Sequence, residues 1–219
     1  MSQTTAISPR RTVADLLKEL GDIPADRVRL HPTPGTATEQ DVLDIEAREG
    51  RLCELVDGVL VEKVMGYSGS RLAAELIISL GIFLRRHNLG VVAGADGMLK
   101  LTTGLVRIPD VSFVSWDRLP GRRVPPEPIP LLPIDLAVEV ISKGNTRAEM
   151  ERKLREYLAS GARLVWFIYP KTRTARVYTT PGRSALLKDG GVLDGGAVLP
   201  GFALPLRELF AQAERGPDA

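Results

Sequence analysis

Cysteine is almost absent from this chain of 219 residues, and histidine nearly so. A single cysteine, Cys53, can form no internal disulfide and no Cys-based zinc site, so a reducing, cytoplasmic setting is the default expectation. The two histidines stand in a proline loop (His31) and at the end of an expected helix (His87), places that suit surface and capping roles better than zinc ligation. Long apolar runs are missing as well. The longest, 164–169 and 136–138 resuming at 140, fall short of the roughly 20 residues a bilayer helix needs, so no membrane span is expected. Residues 1–11 are polar and lack the apolar region of a secretory signal. No GxSxG elbow, P-loop or GxGxxG fingerprint occurs, and Cys53 has no evident base partner, which argues against nucleophilic and nucleotide-binding chemistries. There is no internal repeat and no low-complexity tract.

What is present is the composition of an ordinary globular protein, 44% hydrophobic and 26% charged, long enough for one domain with short attachments. The formal charge of +2 hides an asymmetry. Residues 13–62 hold 12 acids and 5 bases, whereas 143–176 hold 9 bases and 3 acids. The basic stretch is compatible with a phosphate-rich ligand and equally with a solvated surface.

The pattern predicts a disordered lead over 1–12 and an N-terminal helical segment over 13–50, with helices at 13–20 and 39–48 stopped by Gly21 and Gly50. Two β-rich runs, 52–56 and 59–64, flank Asp57-Gly58, a two-residue hairpin turn. Leu72, Leu76, Leu80, Phe83, Leu84 and His87 recur at helical spacing in a long helix over 68–87. Strands are expected at 91–93, 98–102 and 105–115. Six prolines between 119 and 133 then forbid regular structure. A continuous apolar strand follows at 134–141, and Thr146 and Glu149 fit a capping box for a helix whose buried face is Met150, Leu154, Tyr157 and Leu158. Strands at 163–169 and 175–180, a glycine-rich hairpin and a short helix at 206–211 complete an α/β (α+β) domain over 51–213, with a tail at 214–219.

Three residues stand out. Glu139 lies in a run that reads as a strand buried on both faces, where an ionised carboxylate must be paired, hydrogen-bonded or metal-bound. The functional reading competes with a buried salt bridge or a water-facing edge. Asp110 follows Pro109, which cannot donate to a ladder and implies an edge or bulge; alternation puts Asp110 on one face with Ile108 and Ser112, and the competing reading is a turn residue at a strand start. Two acids on neighbouring strands suit a hard cation such as Mg²⁺. Lys153 is the third. Glu139 lies about 10 Å before the strand end by strand rise, and Lys153 about 10 Å into the following helix by helical rise. A helix doubling back would therefore bring them level. The competing reading is a surface lysine paired with Glu149 at i,i+4. Lys143 is nearer in sequence but stands in the loop after the strand, a place better suited to a phosphate contact.

Together these segments resemble the Uma-two family of restriction-endonuclease-like proteins, within the PD-(D/E)XK nuclease superfamily. The resemblance runs through Glu54-Leu55-Val56-Asp57-Gly58, Arg107 to Val114 around Pro109-Asp110, and Asp135 to Ser142 around Glu139. It continues through Asn145-Thr146, Lys153, Tyr157, Gly161 and Leu164-Val165-Trp166. It implies a restriction-endonuclease-like core, a mixed β-sheet flanked by helices. It also implies metal-dependent phosphodiester hydrolysis with Asp110 and Glu139 as ligands to Mg²⁺ or Mn²⁺. The superfamily's lysine usually stands two residues after the glutamate, where this chain has Ile141; Lys153 takes the place of a lysine moved to the next helix.

The expected activity is therefore a Mg²⁺-dependent endonuclease acting on DNA. Asp110, Glu139 and Lys153 form its catalytic set, Lys143, Arg152 and Arg155 contact nucleic acid, and Glu54 and Glu62 are auxiliary. Glu75 falls off the apolar stripe of its helix and reads as a solvated residue, the other reading being one that points at the site. The other reading is a non-catalytic nucleic-acid-binding or partner-binding protein on the same fold. Cutting both strands of a duplex needs two sites, which a homodimer would supply.

Overall fold

A computed structural model describes residues 12–64, 66–180 and 182–216. Apart from Thr12, the lead expected at 1–12 lies outside the described residues, as do 217–219 of the expected tail.

Helix α1 (Val13–Glu19) is capped by the Thr12 side chain, which accepts from the Asp15 N–H, and α2 (Glu39–Glu49) by a full capping box between Thr38 and Asp41. Strands β1 (Cys53–Val56) and β2 (Val59–Glu62) form the expected hairpin. Asp57 and Gly58 both have positive φ there, and a Cβ on Gly58 would come within 2.6 Å of the Gly35 backbone. The hairpin, β5 (Leu105–Arg107) and β4 (Leu99–Thr102) make a four-stranded sheet in the order β2-β1-β5-β4.

The larger sheet holds β3 (Gly90–Ala93), β6 (Val111–Ser115), β7 (Leu136–Val140), β8 (Leu164–Tyr169), β9 (Thr174–Thr180) and β10 (Arg183–Leu187). Their order is β10-β9-β8-β7-β6-β3, mixed because β7 and β8 run parallel. A small β11 (Val192–Asp194) and β12 (Ala203–Pro205) hairpin leads to α5 (Leu206–Ala213). Side chains alternate across the larger sheet. Val111, Phe113, Leu136, Val138 and Val140 face the core beneath α3 (Tyr67–His87) and α5, while Ala137, Val165 and Phe167 pack against Met150 and Tyr157 of α4 (Arg147–Ala159). Glu139 is therefore on the α4 side.

Four expectations need correction. Residues 105–115 form two strands rather than one, because the chain leaves the small sheet after Arg107 and enters the large one at Val111, with Pro109 at the crossing. Helix α4 carries half of the capping box: Thr146 accepts from the Glu149 N–H, but Arg27 and Asn145 occupy the Glu149 carboxylate. His87 leaves the apolar stripe: it is exposed, as the surface role at a helix end implied, and stacks on Phe83 at 4.1 Å. Tyr67–His87 is also long and apolar enough, by length and composition, to cross a membrane, which unbroken apolar runs did not reveal; Leu72, Leu76, Leu80 and Leu84 are buried against the sheet.

The N-terminal segment docks on the domain. Leu16, Leu20 and Ile23 pack against Val56, Val59 and Val61 of the hairpin. Gly21 lies so close to α4 that a Cβ there would meet the Glu149 nitrogen at 2.5 Å. Thr146 Oγ1 donates to the Gly21 carbonyl.

Candidate active site

The crossing at 108–110 and the middle of β7 bring the two key acids together. Val111 pairs with Val138, the Asp110 N–H donates to the Val138 carbonyl at 2.9 Å, and the Val140 N–H donates to Asp110 Oδ2 at 2.6 Å. Asp110 thus caps the junction between sheets beside Glu139. Its other oxygen, Oδ1, is 2.8 Å from Lys63 Nζ, and the same ammonium donates to the Ile108 carbonyl.

Glu139 accepts from Lys153 Nζ at 3.0 Å and from the Tyr157 hydroxyl at 2.5 Å, both on Oε1. Oε2 has no donor among the described residues. Lys153 Nζ also donates to Glu54 Oε1 at 2.9 Å, so one ammonium bridges two buried carboxylates from different sheets. Glu54 further accepts from the Ile108 N–H at 3.1 Å and from Arg107 at 2.7 Å. Arg107 in turn reaches Glu156. Lys153, 3% exposed, does not pair with Glu149: the doubling-back of α4 turns it inward.

Burial dominates the electrostatics. Desolvation raises the Glu139 pKa, Lys153 and Lys63 work against it, and Asp110 and Glu54 add to it. Glu54 is equally buried, yet Lys153 and Arg107 outweigh desolvation and hold its carboxyl well below the usual range. Desolvation pulls the Lys153 pKa down, but Glu139 and Glu54 overcome it and keep the amine protonated far above its ordinary value. Burial pushes the Tyr157 hydroxyl up, and the Glu139 charge adds to that.

In the other buried acids each carboxylate oxygen faces a cation or a donor, although Glu149 Oε1 is buried without a hydrogen bond and meets Arg27 only as an ion pair. Asp135 takes Arg163, Arg118 and the Ser115 N–H, and Glu149 takes Arg27 at 2.9 and 3.1 Å together with Asn145. Glu139 keeps one carboxylate oxygen free of donors. Among the described residues no group of three His, Cys, Asp or Glu side chains converges as a ready cage. The oxygens available to a hard cation are Asp110 Oδ1, Glu139 Oε2 and the Ile108 carbonyl, a set that suits an ion binding through one or two carboxylates and retaining water. The Lys63 ammonium, resting on Asp110 Oδ1 and the Ile108 carbonyl, is a cation already lodged in that environment.

A profile of the Uma2 family, described as "Putative restriction endonuclease", matches residues 39–207. The chain belongs to the Uma2 family. A solved structure described as "a putative nuclease belonging to DUF820", from Anabaena variabilis, shares this fold with a TM-score of 0.66. It is 17% identical, and the match covers 74% of this chain and 91% of that one. No curated protein matches this Uma2 chain.

The remaining sequence candidates are placed as follows. Lys143 and Arg155 are exposed. Arg152 is committed to structure: it donates to Glu156, to Asp57 and to the Glu19 carbonyl, tying α4 to the hairpin and α1. Glu62 pairs with Arg29 and Arg51, and none of its hydrogen bonds reaches the cluster. Glu75 pairs with Arg71 at 3.0 Å. Burial pushes the Cys53 thiol up to about 11, which leaves it a poor nucleophile. Sequence reasoning did not single out Lys63 or Arg107 and gave Glu54 only an auxiliary place, whereas the structure puts Glu54 in direct contact with Lys153. Arg107 and Glu54 each carry a charge within an apolar strand run, the same signal that singled out Glu139. Lys63, at the end of a hairpin strand, carried no comparable signal.

Proposed function

We propose that this Uma2 protein is a metal-dependent endonuclease that hydrolyses phosphodiester bonds in DNA, with Asp110 and Glu139 holding Mg²⁺ or Mn²⁺ and Lys153 as the catalytic lysine. One observation carries this reading: Glu139, buried beside Asp110, keeps an oxygen without a donor while Lys153 and Tyr157 secure the other. When bound, the cation supplies Lewis-acid polarisation of the phosphodiester and a more acidic water.

The chain's own groups do the positioning. Asp110 is oriented by the Val140 N–H, and Glu139 by Lys153 and Tyr157. An ammonium has three donors. Glu54 and Glu139 take two of those on Lys153, so the third can face the attacking water or a phosphate oxygen, where a fixed positive charge opposes the charge that develops. Arg107 and the Ile108 N–H hold Glu54, which anchors the lysine, and preorganised placement of this kind is what such a charge needs. Lys143 and Arg155 remain as exposed cations for the DNA backbone.

A non-catalytic binding protein is the second reading. On its side is the balance of the cluster, where Lys63, Lys153 and Arg107 already offset Asp110, Glu139 and Glu54. Supercoiled plasmid incubated with Mg²⁺, Mn²⁺ or EDTA separates the two. Nicking or linearisation with metal, absent in EDTA and in Glu139→Gln, is the expected result. Binding of the plasmid without cleavage under every metal condition would favour the second.

A further inference from the structure

Lys63 lies outside the catalytic set, yet its side chain is only 9% exposed and its ammonium sits on Asp110 Oδ1 and the Ile108 carbonyl. Both Asp110 oxygens already have a partner, since Oδ2 accepts from the Val140 N–H at 2.6 Å. Oδ1 is the oxygen that shares a cation position with the Ile108 carbonyl, and a metal placed there meets the atom Lys63 holds. Charge leads to the same place. Lys63 helps stabilise the ionised forms of both Glu139 and Glu54, so its ammonium acts on all three acids of the cluster. Adding a divalent cation while Lys63 stays would place two like charges on one carboxylate in a buried site, where Coulomb repulsion is weakly screened.

We infer that Lys63 is a built-in competitor for the divalent metal: its ammonium fills the cation position in the metal-free protein and must leave Asp110 Oδ1 before Mg²⁺ or Mn²⁺ can bind. The hairpin geometry allows this exchange. Lys63 follows the last residue of β2, its N–H donates to the Leu52 carbonyl, and the next residue, Val64, is exposed, so the long side chain can swing outward while the backbone stays anchored. The competitor also serves the empty protein. Without a cation on Asp110, the junction between the two sheets would bury an unpaired carboxylate.

The inference rests on the metal reading above, and the experiment keeps the two apart. Mn²⁺ binding to the full chain is measured by titration calorimetry for wild type, Lys63→Met, Lys63→Arg and Glu139→Gln, with thermal melts in EDTA and in Mn²⁺. Lys63→Met should bind Mn²⁺ at least about tenfold more tightly than wild type. It should melt below wild type in EDTA and recover when Mn²⁺ is added. Lys63→Arg, which keeps the charge, should bind no more tightly than wild type. Mn²⁺ affinity in Lys63→Met equal to or weaker than wild type, with binding still lost in Glu139→Gln, would overturn the competitor role alone. Failure of every variant to bind Mn²⁺ would overturn the metal reading and this inference with it. If Lys63→Met does not fold in EDTA, refolding it in Mn²⁺ and titrating with a competing chelator gives the same comparison of affinities.

Discussion

Lys153 and Glu139, fourteen residues apart in the chain, meet at 3.0 Å inside the protein, and the same ammonium reaches Glu54 of the other sheet at 2.9 Å. The contact depends on a parallel β7–β8 pair with α4 packed across it, so the residue that anchors β7 to α4 also anchors the large sheet to the small one. Stability and chemistry are therefore coupled at Lys153, and the two must be measured separately.

Removing the ammonium leaves two buried carboxylates short of a partner. Lys153→Ala should destabilise the protein by about 3–5 kcal/mol, as broken buried ion pairs do. Lys143→Ala, at an exposed position, should change stability by less than about 0.5 kcal/mol. At a temperature where all variants are folded, verified by circular dichroism, plasmid cleavage by Lys153→Ala should fall about a hundredfold or more. Cleavage at the wild-type rate by Lys153→Ala, with Lys143→Ala inactive, would reverse the assignment.

Metal linkage reports on the two acids. Mg²⁺ or Mn²⁺ should raise the melting temperature of the wild type and leave Glu139→Gln unmoved. In EDTA, at a pH above the raised Glu139 pKa, Glu139→Gln should melt no lower than wild type, because it removes a buried charge that desolvation and the neighbouring Asp110 and Glu54 oppose. An equal metal response in the two proteins would remove Glu139 from the site.

The carboxyl groups predict opposite limbs of a stability profile. The folded pKa of Glu54 is depressed, so its ion pairs contribute fully above the ordinary glutamate value of about 4.3 and are lost as pH falls below it. The folded pKa of Glu139 is raised, so its contribution is complete below about pH 4.3 and is lost as pH climbs through the raised value. Denaturant melts across this range should show Glu54→Gln flattening the acid limb and Glu139→Gln flattening the limb above it. A Glu54→Gln profile parallel to wild type at low pH would show that its ion pairs contribute nothing there.

Arg27 and Glu149 form a further buried pair, at 2.9 Å, that fastens the N-terminal segment to α4. Arg27→Ala should cost about 3–5 kcal/mol, because Glu149 would stay buried without its cation. The double change Arg27→Met with Glu149→Leu should recover much of that loss, which a double-mutant cycle on urea melts would read.

The two arginines of α4 should separate in DNA binding. Arg155→Ala should lower the salt slope of binding by about one unit and leave the melting temperature unchanged, as expected for a phosphate contact. Arg152→Ala should lower the melting temperature, since Arg152 ties Asp57, Glu156 and the Glu19 carbonyl together across three elements. A salt slope that responds to Arg152 rather than to Arg155 would place the DNA on the hairpin side of α4.

Local pattern alone determined a great deal. The Asp57-Gly58 turn, the Leu72–Leu76–Leu80–Leu84 stripe, the Thr146 cap and the buried run around Glu139 were legible because each depends on residues a few positions apart. Glu139 and Asp110 announced themselves as charges in apolar settings, and the rises of strand and helix were enough to bring Lys153 level with Glu139. The tertiary structure decided the partners. Whether a charge on a strand meets water, an arginine or another acid depends on which strand lies beside it, and no local pattern states that β1 and β5 pair or that residues 108–110 cross between sheets. Glu54 became central, Arg152 became a structural tie, and Lys63 came to rest on Asp110 for this reason. Burial makes an isolated charge costly wherever it occurs, so the sequence could reveal that partners must exist; only the packing of one sheet against the other could choose them.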